Sequence, residues 1–128
     1  IVPAMVKAYE DLHRAGFAHS AEVWLDGELV AGLYFVAMGH NVFGESMFTT
    51  ITDGSKMALA SLVSVCLAHG ITMIDCQQNT RHLASLGAQE IPRTEFLTWI
   101  QQARHMLPID WAEQTLYWPA LTALDTTL

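Results

Sequence analysis

HSAEVWLDGELVAGLYFVAMGHNVFGESMFTT, residues 19–50, is the stretch whose reading decides the fold. Asp26-Gly27 sits between two runs rich in β-branched and aromatic residues, a strong signal for a two-residue hairpin. Gly39-His40-Asn41 supplies a second turn. The stretch therefore predicts three antiparallel strands, at about Ser20–Leu25, Glu28–Met38 and Val42–Phe48.

Working outward, IVPAMVKAYEDLHRAG before the strands predicts an amphipathic helix. Its charges are interspersed and no cleavage site follows, so it is not a signal peptide. After the strands, Thr52 or Asp53 is placed to cap a second helix that Gly70 ends in the left-handed conformation. Leu59, Leu62, Val63 and Cys66 recur at helical spacing on one face of it. Ile71–Cys76 predicts a strand, and NTRHLASLG a short helix capped by Asn79 and stopped by Gly87. A brief strand around Ala88–Ile91 leads to Pro92, a favoured first helical residue. Phe96, Leu97, Ile100 and Ala103 form the face of the helix that follows, while residues 107–128 show no clean period. The class is α+β, a mixed and mostly antiparallel sheet flanked by helices. The element order α, βββ, α, β, α, β, α resembles that of the GCN5-related N-acyltransferases.

The 128 residues make one domain with a real core, and 52% hydrophobic content excludes disorder as the main state. No run approaches the roughly 18 apolar residues of a membrane span. The chain opens without Met inside a helical pattern, so a fragment of a longer protein is expected. Six Lys plus Arg against thirteen Asp plus Glu leave a net charge of −7. Phosphate binding needs clustered cations, so any nucleic acid must be held mainly by other parts of the protein or by a small local patch. Cys66 and Cys76 form no CxxC pair, which predicts free thiols and a cytoplasmic setting. The six His show no shared metal spacing, and no metal is expected.

Two places carry candidate chemistry. Glu45 interrupts an apolar strand, and strict alternation puts Phe43, Glu45 and Met47 on one face. A carboxylate so flanked either escapes to solvent or finds a partner, and both readings stay open here. Asp75 and Gln77 are two apart and share a face if the strand stays extended. An acid beside an amide suits holding an amine or relaying its proton, and capping of the following helix is the plain alternative. The face of Leu59, Leu62 and Cys66 reads as core unless a site opens the sheet opposite. One further junction matters. TTITDGSKMA has a single glycine where GCN5-related enzymes place the glycine-rich loop that cradles the coenzyme A pyrophosphate.

GFAHSAEVW, GELVAGLYFVA, FGESMF, SKMAL, IDCQ and HLASLGAQEIPR together resemble the C-terminal domain of the leucyl/phenylalanyl-tRNA–protein transferases. The match runs from about Gly16 to Phe96, with motifs in the family's order and spacing. The resemblance implies a single GCN5-like domain over residues 1–128, the family's N-terminal domain being absent from this chain. It implies transfer of Leu or Phe, and sometimes Met, from aminoacyl-tRNA to proteins beginning with Arg or Lys, which marks them for N-end-rule degradation. The resemblance implies no cofactor, coenzyme A included, and no membrane partner. A coenzyme A-dependent N-acyltransferase of the same fold and a tRNA-dependent cell-wall peptide aminoacyltransferase are the alternatives.

The resemblance also assigns residues. Glu45, Asp75 and Gln77 take the family's catalytic positions. Leu33, Val42, Met47, Leu59, Leu62, Cys66 and Ile74 take those of the aminoacyl side-chain pocket. Val42 and Cys66 are smaller than the aromatic residues common in relatives, which implies an altered preference between Leu and Phe. Ile74 and Asp75 alternate along a strand, so placing both at one site requires a local bulge or twist. The implied reaction is aminolysis of the tRNA ester. Gln77 polarised by Asp75 helps remove the proton while Glu45 orients the aminoacyl amine, or the two acids only position groups while the ribose hydroxyl shuttles the proton. A neutral amide is a poor base, which favours positioning together with an electrostatic contribution from Asp75.

Overall fold

The computed structural model describes residues 3–77 and 80–111. Among these, α1 (Pro3–Arg14) precedes β1 (Ala18–Leu25), β2 (Glu28–Met38) and β3 (Asn41–Thr49). Then come α2 (Gly54–Ala68), β4 (Ile74–Asp75), α3 (Arg81–Ser85) and α4 (Arg93–Ala103). The sheet order is β1-β2-β3-β4, antiparallel through β3, with β4 parallel to it. The α+β class with a mixed, mostly antiparallel sheet stands. No helix among the described residues is long and apolar enough to cross a membrane.

The first hairpin forms as the sequence requires. Asp26 and Gly27 have φ of 51° and 81°, the paired positive values of a tight turn whose twist matches the strands. The second turn is Gly39-His40, closed by the Met38–Asn41 pair. It docks against the end of α4. The His40 N–H donates to the Ala103 carbonyl at 3.0 Å, and Asn41 Nδ2 donates to the Ile100 carbonyl at 3.2 Å. The turn thereby adds a second donor to two carbonyls at the end of α4, since Ile100 also accepts the Arg104 N–H and Ala103 the Met106 N–H, each at 3.1 Å.

The core lies between one sheet face and α2. Leu33, Phe35, Ala37 and Val42 meet Ala58, Leu62 and Cys66, with Ile71 closing the end. Truncating a buried leucine such as Leu62 removes about 2–5 kcal/mol of stability. The other face is reached by α1, whose Tyr9 ring packs edge-on to Tyr34 at 4.8 Å between centroids.

Several expectations change. Strand β4 is confined to Ile74–Asp75, shorter than the Ile71–Cys76 run, because Ile71 turns inward after the helix stop while Gln77 leaves the extended region. The cap of α3 is Thr80, whose hydroxyl accepts the Leu83 N–H at 3.1 Å. Asn79, expected to cap it, lies outside the described residues. Ala88–Ile91 is not a strand, and Pro92 takes the N-cap position of α4, one residue earlier than expected. Asp53 does precede α2, but with φ of 61° its side chain makes no cap bond. Leu97 is exposed, so the inward face of α4 is narrower than its period implied.

Gly39 has φ of +59°, and a Cβ there would lie 2.8 Å from the Ala103 carbonyl oxygen and 3.0 Å from those of Arg104 and Met106. Gly39→Ala meets backbone at that point, which has no rotamer to yield. Chemical denaturation should show it destabilised by about 1–3 kcal/mol, and an unchanged midpoint would contradict this docking of α4.

Candidate functional site

Strand β3 contains one residue more than its partner. Tyr34 pairs with Ser46 and Phe35 with Gly44, so Glu45 stands opposite no residue of β2. This is a β-bulge, and it reverses the alternation of side chains beyond it. Val42 and Met47, an odd number apart, therefore both reach the core. The expected common face of Phe43, Glu45 and Met47 does not exist, because strict alternation is broken at its middle member. No pattern of polar and apolar residues marks such an insertion.

The bulge places the Glu45 carboxylate between two donors. Tyr9 Oη donates to Glu45 Oε2 at 3.3 Å, and Gln77 Nε2 donates to Glu45 Oε1 at 3.3 Å. Three elements distant in sequence thus converge on one acid. Burial, followed by the neighbouring Glu45 carboxylate, raises the Tyr9 phenol above its ordinary range, so it remains a donor at neutral pH. Tyr9 was not among the candidates from the sequence. Its only signal was a polar-tipped ring beside Leu12 on the inward stripe of an amphipathic helix.

Gln77 is held from the opposite side as well. Its φ is 65°, left-handed, and its backbone N–H donates to Asp75 Oδ1 at 2.8 Å. The strand does not continue extended to Gln77, so Asp75 and Gln77 do not share a strand face. The recorded bond joins the Asp75 carboxylate to the Gln77 backbone rather than to its side-chain amide.

Beneath Glu45 and Gln77 lies a hollow of about 180 Å³, open on one side. Leu33, Met47, Leu59, Ile74 and Leu83 give it an apolar wall, with Gly44, Ser46 and Cys76 at the rim. A cavity of about 150 Å³ accommodates benzene, so the space suits one amino-acid side chain. Of the seven pocket positions implied by resemblance, Leu33, Met47, Leu59 and Ile74 line this hollow. Val42, Leu62 and Cys66 are buried behind it in the core. Ile74 and Asp75 keep their alternation without a bulge, paired with Val42 and Phe43. Asp75 faces a wider adjoining hollow of about 910 Å³ and does not line the smaller one.

The thiols offer no nucleophile here. Burial pushes Cys66 up to about 12 and raises Cys76 as well, so both stay protonated near neutral pH. His19 lies elsewhere, with Nε2 3.0 Å from the Gly16 carbonyl and its ring near Phe35 and Trp111. The arrangement can hold an apolar side chain, receive an amine at the carboxylate and amide above it, and act without a titrating thiol.

The network makes a spectroscopic statement. Glu45→Gln removes the charge and the charged acceptor that raise the Tyr9 phenol, leaving burial alone. Tyr9 should then ionise at lower pH than in the parent protein while staying above free tyrosine. An NMR titration of the Tyr9 ring checks this, and an unmoved titration would mean that the two side chains do not interact.

Comparison with known proteins places this geometry. The family model described as leucyl/phenylalanyl-tRNA protein transferase matches residues 1–101. The leucyl/phenylalanyl-tRNA–protein transferase of Polaromonas sp. (strain JS666) is 57% identical, over 100% of this chain and 51% of its own length. That of Albidiferax ferrireducens is 52% identical, over 94% of this chain and 48% of its own. The chain thus spans about half the length of the curated relatives it matches. A solved structure of AAC(6')-Iy with a bisubstrate analogue overlaps at a TM-score of 0.44 and 14% identity, covering 89% of this chain and 76% of that one. That overlap bears on neither ligand nor chemistry. The matched span and the identity to relatives establish that this chain belongs to the leucyl/phenylalanyl-tRNA protein transferase family.

Proposed function

We propose that this chain forms the acyl-transfer centre of an enzyme that moves Leu or Phe from aminoacyl-tRNA to the N-terminal Arg or Lys of a protein. The observation that carries the reading is the Tyr9–Glu45–Gln77 network at the mouth of the 180 Å³ apolar hollow. The hollow takes the isobutyl or benzyl side chain, and the Glu45 carboxylate takes the amine of the same aminoacyl group. Apolar burial alone discriminates by only about 1–3 kcal/mol per methylene, which accords with a site shared by Leu and Phe. Free thiols at Cys66 and Cys76 accord with a cytoplasmic setting.

The chemistry is aminolysis of an ester. The acceptor's α-amine attacks the aminoacyl carbonyl carbon; a C–N bond forms, the C–O bond to the ribose breaks, and the amine proton ends on the ribose oxygen. With Gln77 Nε2 donating to Glu45, Oε1 is the amide's acceptor and orients an incoming N–H. A neutral amide does not take the proton, so its contribution is alignment of the attacking nitrogen. The acidic balance of the chain, −7, suits a cationic acceptor.

The protein incubated with radiolabelled leucyl-tRNA should label peptides that begin with Arg or Lys and not one that begins with Ala. Equal labelling of the Ala peptide would sink the proposed acceptor choice. Leu59→Phe narrows the hollow, and transfer of Phe should fall more than transfer of Leu, by about tenfold, equivalent to roughly 1.4 kcal/mol. Equal losses for the two would separate the hollow from side-chain recognition.

A further inference from the structure

The position of Gln77 raises a question that the acid–amide pairing does not answer. A residue with a side chain at φ of 65° sits in a left-handed region that favours glycine. Something local must hold it there. The only hydrogen bond recorded between Asp75 and Gln77 runs from the Gln77 backbone N–H to Asp75 Oδ1, at 2.8 Å. An Asp or Asn side chain that accepts from the N–H two residues on makes an Asx turn, a unit that redirects the backbone without neighbours. Here it redirects the chain immediately after the two-residue strand β4, and in consequence Gln77 Nε2 meets Glu45 Oε1. Asp75 itself lines the wider hollow and stays outside the apolar one where the aminoacyl side chain is placed.

We propose that Asp75 is a positioning residue that works through the backbone: its carboxylate oxygen holds Gln77 in the left-handed turn, which aims the Gln77 amide at Glu45 and the hollow. Its negative charge is incidental to that task. What the site requires at position 75 is a short side chain with an oxygen acceptor. Asn supplies the same oxygen without charge, Ser supplies a weaker version through its hydroxyl, and Ala supplies none. The kinetic arm of this inference rests on the aminoacyl-transfer reading above, whereas the backbone arm does not.

The test compares Asp75→Asn, Asp75→Ser and Asp75→Ala with the parent protein. Amide hydrogen exchange at Gln77, read by NMR, should show protection in the parent and in Asp75→Asn, less in Asp75→Ser and none in Asp75→Ala. Leucyl transfer to an Arg-initiated peptide should follow the same order. Asp75→Ala should lose about tenfold or more in kcat, as expected for one lost hydrogen bond, and Asp75→Asn clearly less than Asp75→Ala. Equal loss in Asn and Ala variants would overturn the proposal in favour of the charge, and so would an unprotected Gln77 amide in the parent. If the parent transfers nothing to any peptide, the aminoacyl-transfer reading fails, and the exchange pattern still decides the role of Asp75.

Discussion

One unpaired residue in β3 governs the geometry of this domain. Because Glu45 stands opposite nothing on β2, the strand carries five steps from Val42 to Met47 while both side chains face α2. Without the extra residue, a one-step slip would turn either Val42 or Met47 out of the core. The hydrophobic demand of both positions therefore pins the bulge between them. Its location then determines where the carboxylate emerges, beside the end of β4 and within reach of α1. The energy that fixes the acid comes from apolar burial around it, and the acid's own hydrogen bonds add little by comparison.

The same economy appears on the other side of the site. Strand β4 contributes only two paired residues before the chain turns away at Gln77. A longer pairing would carry Gln77 along the sheet and away from Glu45. The short strand and the left-handed residue after it leave room between β3 and α3, and the apolar hollow occupies that room, with Leu83 of α3 as one wall. Helix α1 completes the arrangement from a third direction. Tyr9 packs on Tyr34 and presents its hydroxyl to the carboxylate, so one aromatic ring supplies both packing and a hydrogen bond.

Membership of the transferase family adds a constraint that this chain alone does not carry. The relatives are about twice as long, and a charge of −7 is poorly suited to a polyanion. Under the proposed transfer from aminoacyl-tRNA, the phosphates would need cations clustered in a small local patch or supplied from outside these 128 residues.

Local signals in the sequence decided the first three strands, the hairpin at Asp26-Gly27, the stop at Gly70 and the apolar face of α2, because turn residues and periodicity act over a few residues. Family motifs singled out Glu45, Asp75 and Gln77 without showing how they meet. Tertiary structure decided the rest. The bulge at Glu45 follows from the competing burial of Val42 and Met47, which no single strand reveals. The contribution of Tyr9 depends on where α1 crosses the sheet, a contact between residues 36 apart. The cut between Leu33, Met47, Leu59 and Ile74 in the hollow and Val42, Leu62 and Cys66 in the core is a matter of depth, and depth exists only once helix and sheet have packed.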